Sequence, residues 1–114
     1  MKEEKTVSQA IEYRRSVRVY DPDQPLDSEK VKQCLRQAAL APNSSNMQLW
    51  EFIHITDKDT IKKMAPLCFN QNAARTAQQL VVFVTRKDLW RSRAKANLDM
   101  IREMYPDKPK AEQS

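Results

Sequence analysis

The stretch "APNSSNMQLWEFIHIT", residues 41–56, contains the change from helix to strand around which this chain is organised. Its second half, residues 50–56, is rich in β-branched and aromatic side chains and predicts a strand. The loop before the strand contains two asparagines, two serines and a glutamine, and no glycine. This concentration of short hydrogen-bonding side chains raises the question of what the loop binds.

An amphipathic helix is predicted before the loop. Asp27 and Ser28 form a capping signal, and the loop's Pro42 is expected to end the helix. Apolar residues follow the cap at the spacing of one buried helical face: Val31, Cys34, Leu35, Ala38 and Ala39. A reduced, buried thiol is therefore expected at Cys34, with a redox-active pair between Cys34 and Cys68 as the alternative.

Two further helices are predicted upstream and downstream of this centre. Thr6 and Gln9 form a capping box for a first helix that runs to about Arg14 or Arg15. Residues 57–67 predict a short capped helix with inward-facing Ile61, Met64 and Ala65. A helical or turn segment follows at residues 69–77.

The C-terminal third predicts a second strand and a long helix. The continuous apolar run at residues 79–85 predicts a strand covered on both faces. Asp88 is expected to cap the helix, which has Trp90, Ala94, Ile101 and Met104 near helical spacing. Two strands fall short of the three that a stable sheet normally needs. We therefore expect the front part of a larger fold, or a fold that a partner completes.

Composition excludes several classes of function. The chain of 114 residues has no glycine, whereas average usage is about 7%, so glycine-rich phosphate loops are excluded. The net charge of +5 suits an anionic partner. Neither a signal peptide nor a membrane span is apparent, and we expect a cytoplasmic protein. A small nucleic-acid-binding module is one alternative. Trp90 is the only aromatic residue among the basic residues of the last helix, however, and it is expected in the core.

Three arginines and a serine lie together in "RRSVRVY", residues 14–20. Arg14, Arg15 and Arg18 could donate paired hydrogen bonds to a phosphate, and Ser16 could add a hydroxyl. Alternatively, Arg14 and Arg15 stabilise the negative end of the first helix. The single histidine, His54, has no partner placed by the sequence and is interpreted as structural rather than catalytic.

Taken together, "RRSVRVY", "APNSSNMQLWEF" and "CFNQNAARTAQQLVVFV" resemble the FMN-dependent nitroreductase family in order and spacing. The resemblance extends from about Thr6 to Arg86. It implies an α+β fold, an α/β/α sandwich whose central, mainly antiparallel sheet is flanked by helices and is incomplete in this chain. Residues 1–114 would then form a single domain, the N-terminal part of the family fold, with a flexible tail at 106–114.

The resemblance also implies a set of FMN-binding residues. Arg14, Ser16 and Arg18 match positions that hold the FMN phosphate and adjoining groups, with Arg15 between them. The loop residues that match reach FMN from the other subunit of a homodimer: Pro42, Asn43, Ser44 and Asn46. Asn70 matches an asparagine near the flavin ring and ribityl chain. Neither a catalytic side chain nor a metal ligand is implied, because the flavin carries the chemistry.

The activity that the resemblance implies is transfer of a hydride or electrons from NAD(P)H through FMN to a nitroaromatic, a quinone or a similar acceptor. The expected partners are a second copy of the chain and this small-molecule acceptor, with no nucleic acid and no membrane. The alternative is a truncated or degenerate relative that dimerises without flavin and has no enzyme activity.

Overall fold

A computed structural model describes residues 3–106 of the chain. The tail expected at residues 106–114 lies outside the described residues, apart from Pro106. The chain forms two compact units. The first comprises residues 3–26 and 56–80, and the second comprises residues 27–55 and 81–106.

The first unit contains three short helices, which are α1 (Val7–Tyr13), α3 (Lys58–Met64) and α4 (Asn72–Thr76). The predicted capping box of α1 is confirmed, because the Gln9 backbone N–H donates to Thr6 Oγ1 at 3.2 Å and the Thr6 N–H donates to Gln9 Oε1 at 2.9 Å. Helix α3 is capped by Asp57. The predicted inward residues Ile61 and Ala65 are the only buried ones in the described part of the chain.

The second unit contains α2 (Ser28–Ala38), β1 (Trp50–Ile55), α5 (Trp90–Met104) and all of β2 (Leu80–Thr85) except its first residue. Asp27 caps α2 as predicted, with its Oδ1 accepting from the Glu29 N–H at 2.9 Å. Strands β1 and β2 form a two-stranded antiparallel sheet. Beyond the ends of both strands the Arg86 N–H donates to the Leu49 carbonyl at 2.8 Å.

The apolar face predicted for α2 is narrower than expected. Val31, Leu35 and Ala39 are half-buried, at the i, i+4, i+8 spacing. The expectation of a buried Cys34 is wrong, because Cys34 and its neighbour Ala38 are exposed. Helical spacing identified the correct side of α2, but no described residue covers the edge of that side where Cys34 lies.

The prediction that β2 is covered on both faces is also wrong. The Phe83 side chain is 72% exposed. On its face of the sheet Phe83 meets the Phe52 ring edge to face at 5.4 Å, and Phe52 stacks on Trp50 at 5.3 Å. An apolar run in the sequence does not reveal whether a second layer covers this aromatic row.

The start of α5 also differs from the prediction. Asp88 does not cap α5, because it lies inside a 3-10 turn at residues 87–89 and its carboxylate pairs with Arg86. The expectation that Trp90 lies in the core is wrong, since its side chain is 51% exposed and the Arg91 guanidinium lies 5.3 Å from its ring. Met104 is exposed, whereas Ala94 and Ile101 are half-buried.

Candidate functional site

The arginine segment, residues 14–18, follows α1 directly. Helix α1 ends because Arg14 leaves the helical region, with φ −58° and ψ 146°. All five residues of the segment are exposed. Within residues 3–106, the side chains of Arg14, Ser16 and Arg18 make no hydrogen bond or ion pair. Two guanidinium groups and a hydroxyl are therefore available to a ligand.

Arg15 differs from its two neighbouring arginines. Its Nη1 donates to the carbonyl oxygens of Glu12 and Arg14, each at 2.8 Å. These carbonyls belong to the end of α1, where backbone acceptors lack helical partners. Arg15 therefore stabilises the negative end of the first helix, which was the alternative interpretation of these arginines. The Arg14 side chain makes no such contact within the described residues.

The chain that follows the arginine segment is held by side chains around the start of β2. Thr76 Oγ1 accepts a hydrogen bond from the Tyr20 N–H at 2.9 Å. The Gln78 amide accepts from the Leu26 N–H at 3.0 Å and donates to the carbonyls of Asp21 and Gln24. These three hydrogen bonds hold the backbone that follows the arginine segment at the Gln78 side chain.

The asparagine loop, residues 43–48, has an unusual backbone for a chain without glycine. It contains a 3-10 turn at Ser44–Asn46. Three of its residues are left-handed, with φ of 51° at Ser45, 50° at Asn46 and 53° at Gln48. Asparagine tolerates this region better than other non-glycine residues do, whereas serine and glutamine occupy it uncommonly.

The predicted loop residues divide into those that hold the loop and those that remain available. Asn43 Oδ1 accepts from the Gln48 N–H at 2.9 Å, so that side chain closes the loop on itself. The side chains of Ser44 and Asn46 are exposed and make no hydrogen bond within residues 3–106. Pro42 is also exposed and precedes the loop.

Asn97 on α5 is a contact of the loop that the sequence did not indicate. Its Nδ2 donates to the Ser45 carbonyl at 2.6 Å and lies 3.7 Å from Met47 Sδ. Asn97 is half-buried and 52 residues from Ser45 in the chain. Nothing in the helical spacing of α5 distinguishes Asn97 from other polar helix residues, so sequence reasoning had no signal for it.

Asn70 lies in a second left-handed segment, in the same unit as the arginine segment. Phe69 and Asn70 have φ of 57° and 51°, and the Asn70 N–H donates to the Ala65 carbonyl at 3.0 Å. The Phe69 side chain is 89% exposed. The Asn70 side chain is exposed without a hydrogen bond in the described residues, so it presents a free amide beside an exposed aromatic ring.

The nine predicted FMN contacts therefore fall into two groups, each within one unit. The first unit holds Arg14, Arg15, Ser16, Arg18 and Asn70, and the second holds Pro42, Asn43, Ser44 and Asn46. The first group carries all of the positive charge, whereas the second consists of neutral residues.

An ion-pair cluster lies at the end of the sheet in the second unit. Arg86 donates to both carboxylate oxygens of Asp88, at 3.1 Å and 3.0 Å, and pairs with Glu51 on β1. The hydrogen bonds that Arg86 donates to Asp88 and Glu51 raise the pKa of Arg86 above its usual value, and the bond that Asp88 accepts from Arg86 lowers the pKa of Asp88. The cluster connects β1, β2 and the start of α5, and all its described charges are paired.

Comparison with known proteins identifies the family. The family model for nitroreductases matches residues 11–110. The chain belongs to the nitroreductase family. This confirms the resemblance drawn from the three sequence stretches.

Individual members of the nitroreductase family agree with this assignment. The YdgI protein of Bacillus subtilis, provisionally assigned as an NAD(P)H nitroreductase, is 32% identical over 93 residues, which cover 81% of this chain and 41% of YdgI. An Archaeoglobus fulgidus protein, provisionally assigned as an NADH dehydrogenase or NAD(P)H nitroreductase, is 34% identical over 84 residues, or 68% of this chain and 48% of that protein. The chain thus spans less than half the length of these two curated relatives.

The fold agrees with a solved member of the family. The crystal structure of a provisionally assigned nitroreductase from Exiguobacterium sibiricum, in complex with FMN, superposes with a TM-score of 0.67 at 25% identity. The match covers 95% of this chain and 60% of that one. The predicted α+β nitroreductase fold is confirmed, in a form shorter than the full fold. Among the described residues, no helix has the length and apolar character needed to cross a membrane.

Proposed function

We propose that this chain binds FMN and functions as an oxidoreductase of the nitroreductase family, with NAD(P)H as the electron donor. The observation that carries the proposal is that the guanidinium groups of Arg14 and Arg18 make no hydrogen bond or ion pair within residues 3–106, and neither does the hydroxyl of Ser16, which lies between them in the sequence. Support also comes from the FMN bound in the Exiguobacterium sibiricum structure and from the two relatives, which are provisionally assigned as NAD(P)H nitroreductases.

The donors that are available match the chemistry of FMN. A dianionic phosphate favours arginines, whose planar forks donate paired hydrogen bonds. A polyhydroxyl chain and a ring edge favour neutral amides and hydroxyls, which Ser44, Asn46 and Asn70 present to solvent. In this proposal Arg14 and Arg18 bind the phosphate, Ser16 adds a donor beside it, and Arg15 holds the end of α1 from which the segment starts.

The proposal assigns the two groups of residues to different copies of the chain. In a homodimer, the arginine segment of one copy and the asparagine loop of the other would bind the same FMN, with Pro42 and Asn43 shaping that loop. Bound FMN supplies hydride acceptance and electron transfer, and the protein residues bind and orient it. The electron acceptor in this proposal is a nitroaromatic, a quinone or a similar small molecule.

The proposal is tested by titrating FMN into purified protein and following the flavin fluorescence. Replacing both arginines (Arg14→Ala with Arg18→Ala) should raise the Kd by at least about tenfold, because charge-assisted hydrogen bonds contribute about 1.5–3 kcal/mol each. The matched control is Lys62→Ala with Lys63→Ala, which removes the same charge from exposed residues of α3 in the same unit. The control should bind FMN like the unchanged chain.

Equal Kd values for the two double variants would refute the role of the arginines. Failure of the unchanged chain to bind FMN at all would refute the proposal and favour the flavin-free alternative. Circular dichroism of both variants checks that the helices persist, so that a loss of binding is not a loss of folding.

A further inference from the structure

The asparagine loop has a backbone that other contacts must stabilise. Ser45, Asn46 and Gln48 all have φ near 50°. For a residue with a Cβ atom, the left-handed region is less favourable than the right-handed helical region, because Cβ approaches the following carbonyl oxygen. Glycine would avoid this cost, but the chain has none. Three such residues within four positions would relax to other conformations unless contacts in the folded state hold them.

Two asparagine side chains supply contacts of this kind. Asn43 acts from within the loop, with its Oδ1 accepting from the Gln48 N–H at 2.9 Å. Asn97 acts from α5, with its Nδ2 donating to the Ser45 carbonyl at 2.6 Å. The same Nδ2 lies 3.7 Å from Met47 Sδ, a weak acceptor. All of these residues belong to the second unit.

The position of the Asn97 contact determines what it controls. It reaches the carbonyl of Ser45, which is itself left-handed and stands between Ser44 and Asn46. Those two neighbours are exposed and keep their side chains free of hydrogen bonds within the described residues. A short side chain has only one or two rotatable bonds, so the position of its donor follows the backbone closely. Holding the Ser45 carbonyl, which lies between these two residues, therefore restricts where both donors can lie.

We infer that Asn97 is a positioning residue, which holds the asparagine loop in its left-handed form and so orients Ser44 and Asn46 toward the flavin. This inference rests on the proposed function for the identity of the ligand. In this role Asn97 needs no contact with the ligand. It acts by clamping the Ser45 carbonyl to α5, and the loop conformation itself depends on the clamp whether or not flavin is bound.

The clamp is tested without any ligand, by amide hydrogen exchange. Asn97→Ala should speed exchange at the Met47 and Gln48 amides by about tenfold. In this variant, local opening of the loop has one hydrogen bond fewer to break. The Arg86 amide, which is bonded to the Leu49 carbonyl in the same unit, provides the internal reference and should change little. Gln33→Ala removes an exposed amide side chain of α2 and is the matched control.

A second substitution separates the clamp from a general loss of stability. Ser45→Gly removes the Cβ penalty at φ 51° while keeping the carbonyl that Asn97 binds. Asn97→Ala should then accelerate loop exchange less in the Ser45→Gly background than in the unchanged chain. An equal effect in both backgrounds, or equal acceleration at the Arg86 amide, would overturn the inference.

Flavin titration tests the other part of the inference, which is that Asn97 orients Ser44 and Asn46 toward the flavin. Asn97→Ala should raise the Kd for FMN about fivefold relative to Gln33→Ala. Faster loop exchange with an unchanged Kd would overturn the orienting role while leaving the proposed function intact. If the unchanged chain binds no FMN, the proposed function and the orienting role both fail, and the exchange measurement still decides whether Asn97 clamps the loop.

Discussion

The arginine segment and the asparagine loop both lie outside regular secondary structure, but their backbones are held differently. The arginine segment has no left-handed residue. It is anchored at its start by the contacts of Arg15 with the end of α1, and just beyond its end by the Thr76 contact to Tyr20. The asparagine loop has three left-handed residues and is clamped by Asn43 and Asn97.

In the proposed function, this difference follows from the length of the side chains that donate to the flavin. Arg14 and Arg18 end in guanidinium groups on long, flexible stems, which can reach an anion from a loosely held backbone. Ser44 and Asn46 have short side chains, so their donors point correctly only if the backbone is fixed. An uncommon backbone conformation therefore accompanies the short donors, and an ordinary one accompanies the long donors.

The largest effect on stability is expected from removing the Gln78 side chain, which holds the backbone after the arginine segment. Gln78→Ala removes three hydrogen bonds to the backbone of residues 21–26. We expect a loss of about 2–3 kcal/mol in the free energy of unfolding, measured by urea denaturation. Gln71→Ala is the control, because Gln71 is exposed and its side chain does not cap α4. Equal unfolding curves for the two variants would show that the Gln78 contacts do not anchor the segment.

A smaller effect on stability is expected when one serine in each region is replaced by glycine, which compares the two regions directly. Ser45→Gly replaces a residue with φ 51°, whereas Ser16 is not among the residues with positive φ. Glycine relieves a steric penalty at residue 45 and only adds flexibility to the unfolded chain at residue 16. We expect Ser45→Gly to be more stable than Ser16→Gly by about 1 kcal/mol in thermal or urea unfolding. The reverse order would contradict the account of the loop.

The smallest effect lies outside both regions, at the cap of α3. Hydrogen bonds from the Thr60 hydroxyl and the Thr60 N–H lower the pKa of Asp57 below its usual value. Because the folded-state pKa is the lower one, this stabilisation is complete above about pH 4 and is lost as the pH falls through the lowered value. Asp57→Ala should therefore flatten the acid side of the stability profile relative to the unchanged chain. Parallel profiles would contradict the capping role.

The parts of the fold that depend on neighbouring residues could be predicted from the sequence. The Thr6–Gln9 capping box, the Asp27 cap and both strands depend on side chains a few positions apart, and they are confirmed. The inward positions of α3 were also correct, because helical spacing alone decides which side chains share a face.

The remaining features depend on contacts between distant parts of the chain. Asp88 resembles a helix cap, but Arg86 competes for its carboxylate, and Arg86 is itself held by Glu51, 35 residues away. The clamp by Asn97 has the same origin, since the residue it meets is 52 positions distant. The predicted site residues could be named from the family pattern, but which of them are available to a ligand could not, because availability depends on these contacts.

The most direct test of the central claim compares FMN with riboflavin, which has the same ring and ribityl chain but no phosphate. The unchanged chain should bind FMN more tightly than riboflavin by at least about tenfold, because in the proposed function Arg14 and Arg18 bind the phosphate. The variant that lacks both arginines should bind the two flavins about equally, and the Lys62→Ala, Lys63→Ala control should keep the preference. A preference for FMN that survives the loss of both arginines would contradict the account.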